Sequence, residues 1–168
     1  CQALGWIEDG EYRSIAPARP EALQLFHTAD YVQALQEAEA EQRLCYQKMQ
    51  RHRIGLDNNP IFAQIYRRPA TAAAASMHGA NLLLAGDMQT VFNPAGGTHH
   101  GMPDRANGFC FVNDPALAIL TLLEGGASRV AYIDIDAHHA DGVEAGFAGD
   151  PAALLISVHE EARWPFTG

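Results

Sequence analysis

Five side chains that can bind a metal ion or transfer a proton follow one apolar stretch of the chain. The apolar residues 130–133 lead into Asp134, Asp136, His138, His139 and Asp141. Carboxylate oxygen and imidazole nitrogen on an Asp-x-His spacing can hold a divalent metal such as Zn²⁺. Two carboxylates so close together would repel each other unless a cation or a proton separates them. This stretch therefore predicts a metal or reaction site rather than a loop of solvated acids.

The period of a β-strand sets the geometry expected for these groups. Side chains alternate between the two faces, so Asp134, Asp136 and His138 share one face if the strand runs that far. Ile133 and Ile135 then take the opposite face, where they can pack beneath a helix. The three polar groups are expected to form a concave cluster at the mouth of a buried strand.

Composition excludes several classes of protein. The chain has 168 residues, 48% of them hydrophobic and 18% charged, which is typical of one folded domain and argues against disorder. The net charge of −9 argues against nucleic-acid binding, and no apolar run approaches the ~20 residues that cross a bilayer. Three widely spaced cysteines indicate reduced thiols and a cytoplasmic location. Because the chain begins at Cys1, residues 1–168 are interpreted as a single partial domain, incomplete at both ends.

Helix and strand signals alternate along the chain. Thr28 and Asp114 are predicted N-caps, and Pro115 fits the first helical position. The predicted helices span 20–26, 29–51, 69–85, 116–124 and 142–147, and the predicted strands span 90–92, 130–136 and 153–159. Near-continuous apolar strands between helices predict an α/β fold with a parallel sheet and helices on both faces.

Polar groups gather after the predicted strands, at the edge where such sheets bind ligands. His99 and His100 lie in a glycine-rich loop, and adjacent histidines beside a metal favour general acid–base chemistry. Asp134 and Asp141 are available to orient an imidazole. His159 follows the last strand, where a ligand role is not expected. His27, His52 and His78 are interpreted as surface or packing residues.

A third element, Gly108 to Asp114, carries two phenylalanines ahead of a helix. Phe111 and Val112 are expected in the core. Phe109 follows a glycine and lies beyond the His99–His100 loop, so it could either pack internally or line a channel. The residues alone leave both interpretations open.

Three motifs together resemble those of the histone deacetylase family. They are Gly96-Gly-Thr-His-His100, Gly108-Phe-Cys-Phe-Val-Asn-Asp114 and Asp134-Ile-Asp-Ala-His-His-Ala-Asp-Gly142, with Phe26–Leu35 and Ile156–His159 as flanking segments. The resemblance covers most of the chain and is greatest to bacterial acetoin-utilisation proteins. It implies an arginase/deacetylase fold and zinc-dependent hydrolysis of N-acetyl amides. The implied substrates are an acetylated lysine side chain, an acetylated protein or a small acetylated amine.

The resemblance also implies roles for individual residues. Asp136 and His138 become zinc ligands. His99 and His100 become an acid–base pair oriented by Asp134 and Asp141, respectively. The channel residues are Gly108, Phe109 and Trp164. A structural K⁺ would be held by Asp134, Asp136, His138, Ser157 and Val158, with Phe147 near a second such site.

Departures from the family pattern bear on activity. The family's third zinc ligand, an aspartate, and its oxyanion-stabilising tyrosine would fall beyond Gly168, so the 168-residue chain alone is expected to be inactive and to bind zinc weakly. Thr98 stands where many relatives carry Trp, and Asn58, next to Asp57, stands where a substrate-gripping Asp is common. Fe²⁺ or Co²⁺ could replace Zn²⁺. The alternatives are an arginase-like ureohydrolase with two manganese ions and a non-catalytic module that binds acetylated ligands.

Overall fold

A computed structural model describes residues 4–5 and 12–168. Residues 1–19, for which the sequence predicts no helix or strand, lie partly outside the described residues. The helices are α1 (Pro20–Leu23), α2 (Ala29–Glu41), α3 (Tyr46–His52), α4 (Arg67–Ala85), α5 (Asp114–Glu124) and α6 (Asp141–Phe147), and the strands are β1 (Val130–Asp134) and β2 (Ala153–Ser157). No helix among them is long and apolar enough to cross a membrane.

The two strands pair in parallel, and α6 forms the connection between them. The register runs from Val130 opposite Ala153 to Asp134 opposite Ser157. On one face of the sheet, Val130, Tyr132 and Leu155 pack against a core formed by α5 and α6. The predicted α/β class with a parallel sheet is confirmed. Each strand ends two residues earlier than predicted. After β1 the backbone N of Asp136 bonds to the Asp134 side chain, and after β2 the backbone N of Glu160 bonds to the Ala137 carbonyl.

The opposite face of the sheet is exposed in the described part of the chain. Ile133 is 64% exposed, Ile135 83% and Leu154 60%. The prediction that Ile133 and Ile135 pack beneath a helix is therefore wrong for these residues as described. Helix α4, the longest helix, packs against α5 instead of against this face of the sheet.

The predicted helix over 29–51 is wrong, because the chain breaks it into α2 and α3. Gln42 ends α2 in the left-handed conformation with φ 50°, and its side chain bonds back to the Glu39 carbonyl at 2.7 Å. The break lets Leu44 pack on the core, and it brings His52 Nδ1 within 2.7 Å of the Asp104 carbonyl. Glu39 on α2 accepts hydrogen bonds from the backbone N–H groups of Tyr66 and Arg67 at the start of α4.

Two further expectations are corrected around the glycine-rich loop. Residues 90–92 form no strand; Val91 packs on Gly79, and Phe92 is exposed. The N-cap of α5 is Asn113, whose Oδ1 accepts from Ala116 N at 2.9 Å, rather than Asp114. Asp114 already belongs to the helix, and its carboxylate faces the preceding loop. Because Asn113 caps the helix, the Asp114 carboxylate is left to hold the loop that carries the candidate site.

Candidate metal and acid–base site

His99 and Asp134 form the first imidazole–carboxylate pair. Asp134 ends β1 and is 8% exposed, and its Oδ2 lies 2.5 Å from His99 Nδ1. Oδ2 also accepts a hydrogen bond from the Tyr132 hydroxyl, and Oδ1 accepts from Asp136 N at 2.8 Å. Burial works to raise the pKa of Asp134, but these hydrogen bonds outweigh it and lower the pKa. The carboxylate is therefore ionised and fixes the orientation of the His99 ring.

His100 and Asp141 form the second pair. Asp141, the first residue of α6, places Oδ1 2.6 Å from His100 Nδ1 and accepts from Gly142 N at 2.9 Å. Its Oδ2 accepts a hydrogen bond from Asn107 Nδ2 at 2.8 Å. The two imidazole centroids are 4.0 Å apart, and both histidines are buried. In each pair Nδ1 is engaged, so Nε2 is the nitrogen left for chemistry.

The loop before His99 is held by the N-terminal end of α5. Asp114 Oδ1 accepts from the backbone N of Gly97 and of Thr98, both at 2.9 Å, and Oδ2 accepts from Ser76 Oγ at 2.6 Å. The Asn113 amide donates to the carbonyls of His99 and Gly101, at 3.2 and 2.9 Å. The two histidines are therefore fixed through both their backbone and their side chains.

Asp136 and His138 bring a carboxylate oxygen and an imidazole nitrogen to one point. His138 Nδ1 lies 2.9 Å from Asp136 Oδ1, and the same oxygen accepts from His138 N at 2.7 Å. The hydrogen bond from His138 N is the largest of the effects that lower the pKa of Asp136. His99 Nε2 lies 3.9 Å from Asp136 Oδ1, so the first imidazole faces this pair. Both side chains are partly exposed, unlike the buried acid–base pairs.

Trp164 covers the outer side of the cluster. Its ring centroid lies 4.7 Å from that of His100 and 5.9 Å from that of His138. A Cβ at Gly108 would lie 2.3 Å from Trp164 Cη2, so only glycine fits this position. Phe109 is 66% exposed and not part of the core. Gly108, Phe109 and Trp164 thus lie around the opening above the paired histidines.

The residues of the implied K⁺ sites are only partly brought together. Asp134 and Ser157 face each other in the sheet register, and Val158 N donates to the Asp134 carbonyl at 2.9 Å. Phe147, the last residue of α6, lies in the core that α5 and α6 form with the sheet. His139, one of the five candidate ligands, turns away from the cluster; its Nδ1 lies 2.9 Å from Thr167 Oγ1, and its ring lies 4.7 Å from that of His159.

Sequence reasoning missed several residues that hold the site. Tyr132 shares a strand face with Asp134, and period-two alternation could have indicated it. Asn107 and Asn59 reach the site from turns, and only the folded chain reveals their partners. Of the histidines interpreted as surface or packing, His27 and His52 are buried, each with Nδ1 bonded to a backbone carbonyl of the loop after His100.

Sequence and structure comparisons with known proteins identify the family of this chain. Residues 2–168 match the Histone deacetylase domain. The acetoin utilization protein AcuC of Bacillus subtilis is 35% identical over 167 residues, covering 99% of this chain and 43% of that protein. Histone deacetylase B of Dictyostelium discoideum is 39% identical over 144 residues, covering 86% of this chain and 34% of that protein. The crystal structure of an HDAC homologue complexed with SAHA has a TM-score of 0.93 at 36% identity, covering 99% of this chain and 45% of that one.

The fold is therefore that of the HDAC homologues, which defines the class of the protein; a homologue from Aquifex aeolicus agrees with a TM-score of 0.90. The chain belongs to the histone deacetylase family, and its relatives include acetoin-utilisation proteins. The resemblance of the three motifs is thus confirmed. The chain spans less than half the length of the relatives it matches, 43% of the Bacillus protein.

Proposed function

We propose that the protein carrying this chain is a metal-dependent deacetylase that hydrolyses N-acetyl amides. The observation that supports it is the convergence of two carboxylate-held imidazoles, His99 and His100, on the Asp136–His138 pair. Amide hydrolysis needs a group that activates the carbonyl and groups that move protons at the same bond. Family membership supports the same reaction.

The donor set fits part of a zinc site. An aspartate oxygen and a histidine nitrogen 2.9 Å apart can both reach one small cation, and both donor types suit Zn²⁺. Within residues 4–5 and 12–168, no group of three or more His, Cys, Asp or Glu side chains is arranged to hold a metal. Asp136 and His138 would therefore hold the ion together with ligands from elsewhere. Fe²⁺ or Co²⁺ could use the same donors.

In the proposed mechanism, a bound Zn²⁺ supplies a Lewis acid for the acetamide carbonyl and the attacking water. His100, held by Asp141 through Nδ1, accepts the water proton on Nε2 and returns a proton to the leaving amine. His99, held by Asp134 and facing Asp136, stabilises the charge that develops beside it. Because the ring centroids lie 4.0 Å apart, the two imidazoles act as one coupled pair.

The proposed substrate is an acetylated lysine side chain, on a protein or as a small acetylated amine. Phe109 and Trp164 provide apolar surface next to the paired histidines, which suits the methylene stem of lysine. A homologous structure was solved in complex with SAHA, a mimic of acetyl-lysine, which supports a substrate of this class.

Two finer assignments belong to the same proposal. A structural K⁺ is assigned to Asp134, Asp136, His138, Ser157 and Val158, with Phe147 near a second site; the pairing of Asp134 with Ser157 across the strands supports the first. A cytoplasmic location is assigned because Cys45 and Cys110, the cysteines in the described residues, are free thiols.

Residues 1–168 alone are expected to bind zinc weakly and to be inactive. The described residues offer two ligands, Asp136 and His138, whereas a catalytic zinc site uses three protein ligands and an open position. Measuring metal content and turnover of this chain beside the full-length protein tests this. Robust turnover by the 168-residue chain contradicts it.

The central experiment measures hydrolysis of a fluorogenic acetyl-lysine substrate by the full-length protein with and without His100→Ala. The loss of the proton-transfer group should lower kcat at least roughly 100-fold. His78→Ala, on α4 and away from the site, is the control and should leave kcat unchanged. Full activity after His100→Ala would exclude this role.

A second measurement does not depend on turnover. Elemental analysis of the full-length protein should find one zinc per molecule, which Asp136→Asn and His138→Ala should each abolish. Two manganese ions per chain would instead support the arginase-like alternative. Binding of acetyl-lysine without release of acetate would support a binding module.

A further inference from the structure

Phe109 lies in an unusual backbone conformation at the entrance of the site. It is the second central residue of a tight turn closed by hydrogen bonds between Asn107 and Cys110, with N···O distances of 2.8 and 3.1 Å. The φ angle is 53° at Gly108 and 63° at Phe109. Left-handed φ at both central positions defines a type I′ turn, which normally carries Asn, Asp or Gly there. A phenylalanine in this position is strained, so neighbouring contacts must hold it.

The packing of the phenyl ring does not supply that restraint. The Phe109 side chain is largely exposed and does not belong to either hydrophobic cluster. The direction of the ring is therefore set by the backbone of the turn. Asn107 ties the first residue of the turn to Asp141, and Trp164 lies against Gly108, but neither contacts the Phe109 backbone N–H.

Asn59 supplies the missing restraint from a loop fifty residues earlier in the chain. Its Oδ1 accepts a hydrogen bond from Phe109 N at 3.0 Å. Asn59 is 1% exposed, and its own backbone is fixed by Gly55 N→Asn59 O at 2.7 Å and Asn59 N→Leu56 O at 2.9 Å. A buried side chain on a closed loop is a rigid acceptor, and a hydrogen bond to it makes the strained turn the preferred state.

The geometry points to Asn59 as the positioning residue that fixes Phe109 in the wall of the substrate entrance. Asn59 does not contact the reacting groups; it acts through the backbone of Phe109 alone. The consequence for substrate rests on the proposed deacetylase function, because Phe109 then contacts the apolar stem of the substrate. Loss of the acceptor frees the turn and weakens substrate binding while leaving the His100–Asp141 and His99–Asp134 pairs intact.

The first test measures the hydrogen bond itself and needs no catalytic activity. Amide hydrogen exchange at Phe109 is followed in the full-length protein and in Asn59→Leu, which keeps the shape but removes the acceptor. Protection of the Phe109 amide should fall roughly tenfold or more, and Asn59→Asp, which keeps an oxygen acceptor, should retain it. Asn81→Leu, on the exposed side of α4, is the matched control. Unchanged protection in Asn59→Leu overturns the inference, whatever reaction the protein performs.

The second test asks whether Asn59 acts through Phe109. With an acetyl-lysine substrate, Asn59→Leu should raise KM roughly five- to tenfold and change kcat less than twofold. In a Phe109→Ala background the same substitution should change KM less than twofold. An equal rise of KM in both backgrounds contradicts a role through Phe109. Thermal unfolding of each variant identifies any that fail to fold; if Asn59→Leu does, Asn59→Ala, which also lacks the acceptor, replaces it.

Discussion

Asn107 donates a hydrogen bond from Nδ2 to Asp141 Oδ2 over 2.8 Å, and Asp141 Oδ1 lies 2.6 Å from His100 Nδ1. One carboxylate therefore joins the turn that carries Phe109 to the imidazole proposed as the general base. Because Asp141 is buried, each of its oxygens needs a donor. The entrance and the chemical centre are consequently positioned by the same group.

Removing the Asn107 side-chain amide should affect both the substrate entrance and the chemical centre. In Asn107→Leu, Asp141 loses one donor, so the free energy of unfolding should fall by about 1 kcal/mol and kcat by about tenfold. Asn107→Asp should lower the free energy of unfolding and kcat further, because a second carboxylate would repel Asp141. Steady-state kinetics and thermal unfolding measure the two effects. An Asn107→Asp variant as active as the unsubstituted protein would show that this contact does not orient Asp141.

The Tyr132 hydroxyl has the corresponding role for the other pair. It donates to Asp134 Oδ2, the same oxygen that His99 Nδ1 contacts, and burial together with this carboxylate raises the pKa of Tyr132. The phenol therefore stays protonated and donates its proton to the carboxylate. Tyr132→Phe should lower kcat several-fold and leave KM unchanged, since the substituted ring still packs against α5 and α6. The control is Tyr46→Phe, an exposed tyrosine on α3, which should change neither quantity.

The sequence predicted the elements whose signals are local. The parallel strands, helix α5 and the ends of α4 and α6 follow from apolar runs, proline and glycine, and the Asp-x-His spacing indicated the cluster. The prediction of one helix over 29–51 was wrong because nothing local marks Gln42 as left-handed. The helix breaks there because Leu44 packs on the core and because His52 Nδ1 bonds to the Asp104 carbonyl, both of which are tertiary contacts.

The supporting contacts could not be predicted for the same reason. Asn59 and Phe109 are fifty residues apart, and Asn107 and Asp141 are 34 apart, so their pairing exists only once the fold does. Asp114 was interpreted as a cap because Pro115, the next residue, fits the first helical position. The structure gives the cap to Asn113 and leaves the Asp114 carboxylate to the loop before His99.

Gly108 offers a test of the crowded entrance. In Gly108→Ala the new methyl group would lie 2.3 Å from Trp164 Cη2, at a residue with φ 53°. The clash and the backbone strain together should destabilise the protein by roughly 2–4 kcal/mol. Combining it with Trp164→Ala removes the clash but not the backbone strain. The stability lost through Gly108→Ala should therefore be recovered except for about 1 kcal/mol, which is the cost of the strain. Denaturant unfolding of the single and double variants separates the two contributions; full recovery would mean that φ at this position costs nothing.

His27 links the stability of the fold to pH. Its Nδ1 donates to the Met102 carbonyl at 3.0 Å, and its Nε2 accepts from Asn113 N at 3.0 Å, so the bound ring is neutral. Burial is the main cause that lowers the pKa of His27 from 6.5 to about 4. Between pH 6.5 and about 4, the imidazole of His27 binds a proton in the unfolded chain but not in the folded protein. Stability is therefore intact above pH 6.5 and falls as the pH drops toward 4.

By pH 4 this single group should have cost roughly 3 kcal/mol of the free energy of unfolding. In His27→Gln, a side-chain amide can donate to Met102 and accept from Asn113 without titrating, so the variant should lose that much less stability between pH 6.5 and 4. Urea unfolding at half-unit steps of pH measures the difference between the two curves, which cancels the contributions of all other titrating groups. Parallel curves would show that His27 is protonated as readily in the folded protein as in the unfolded chain, which would contradict this prediction.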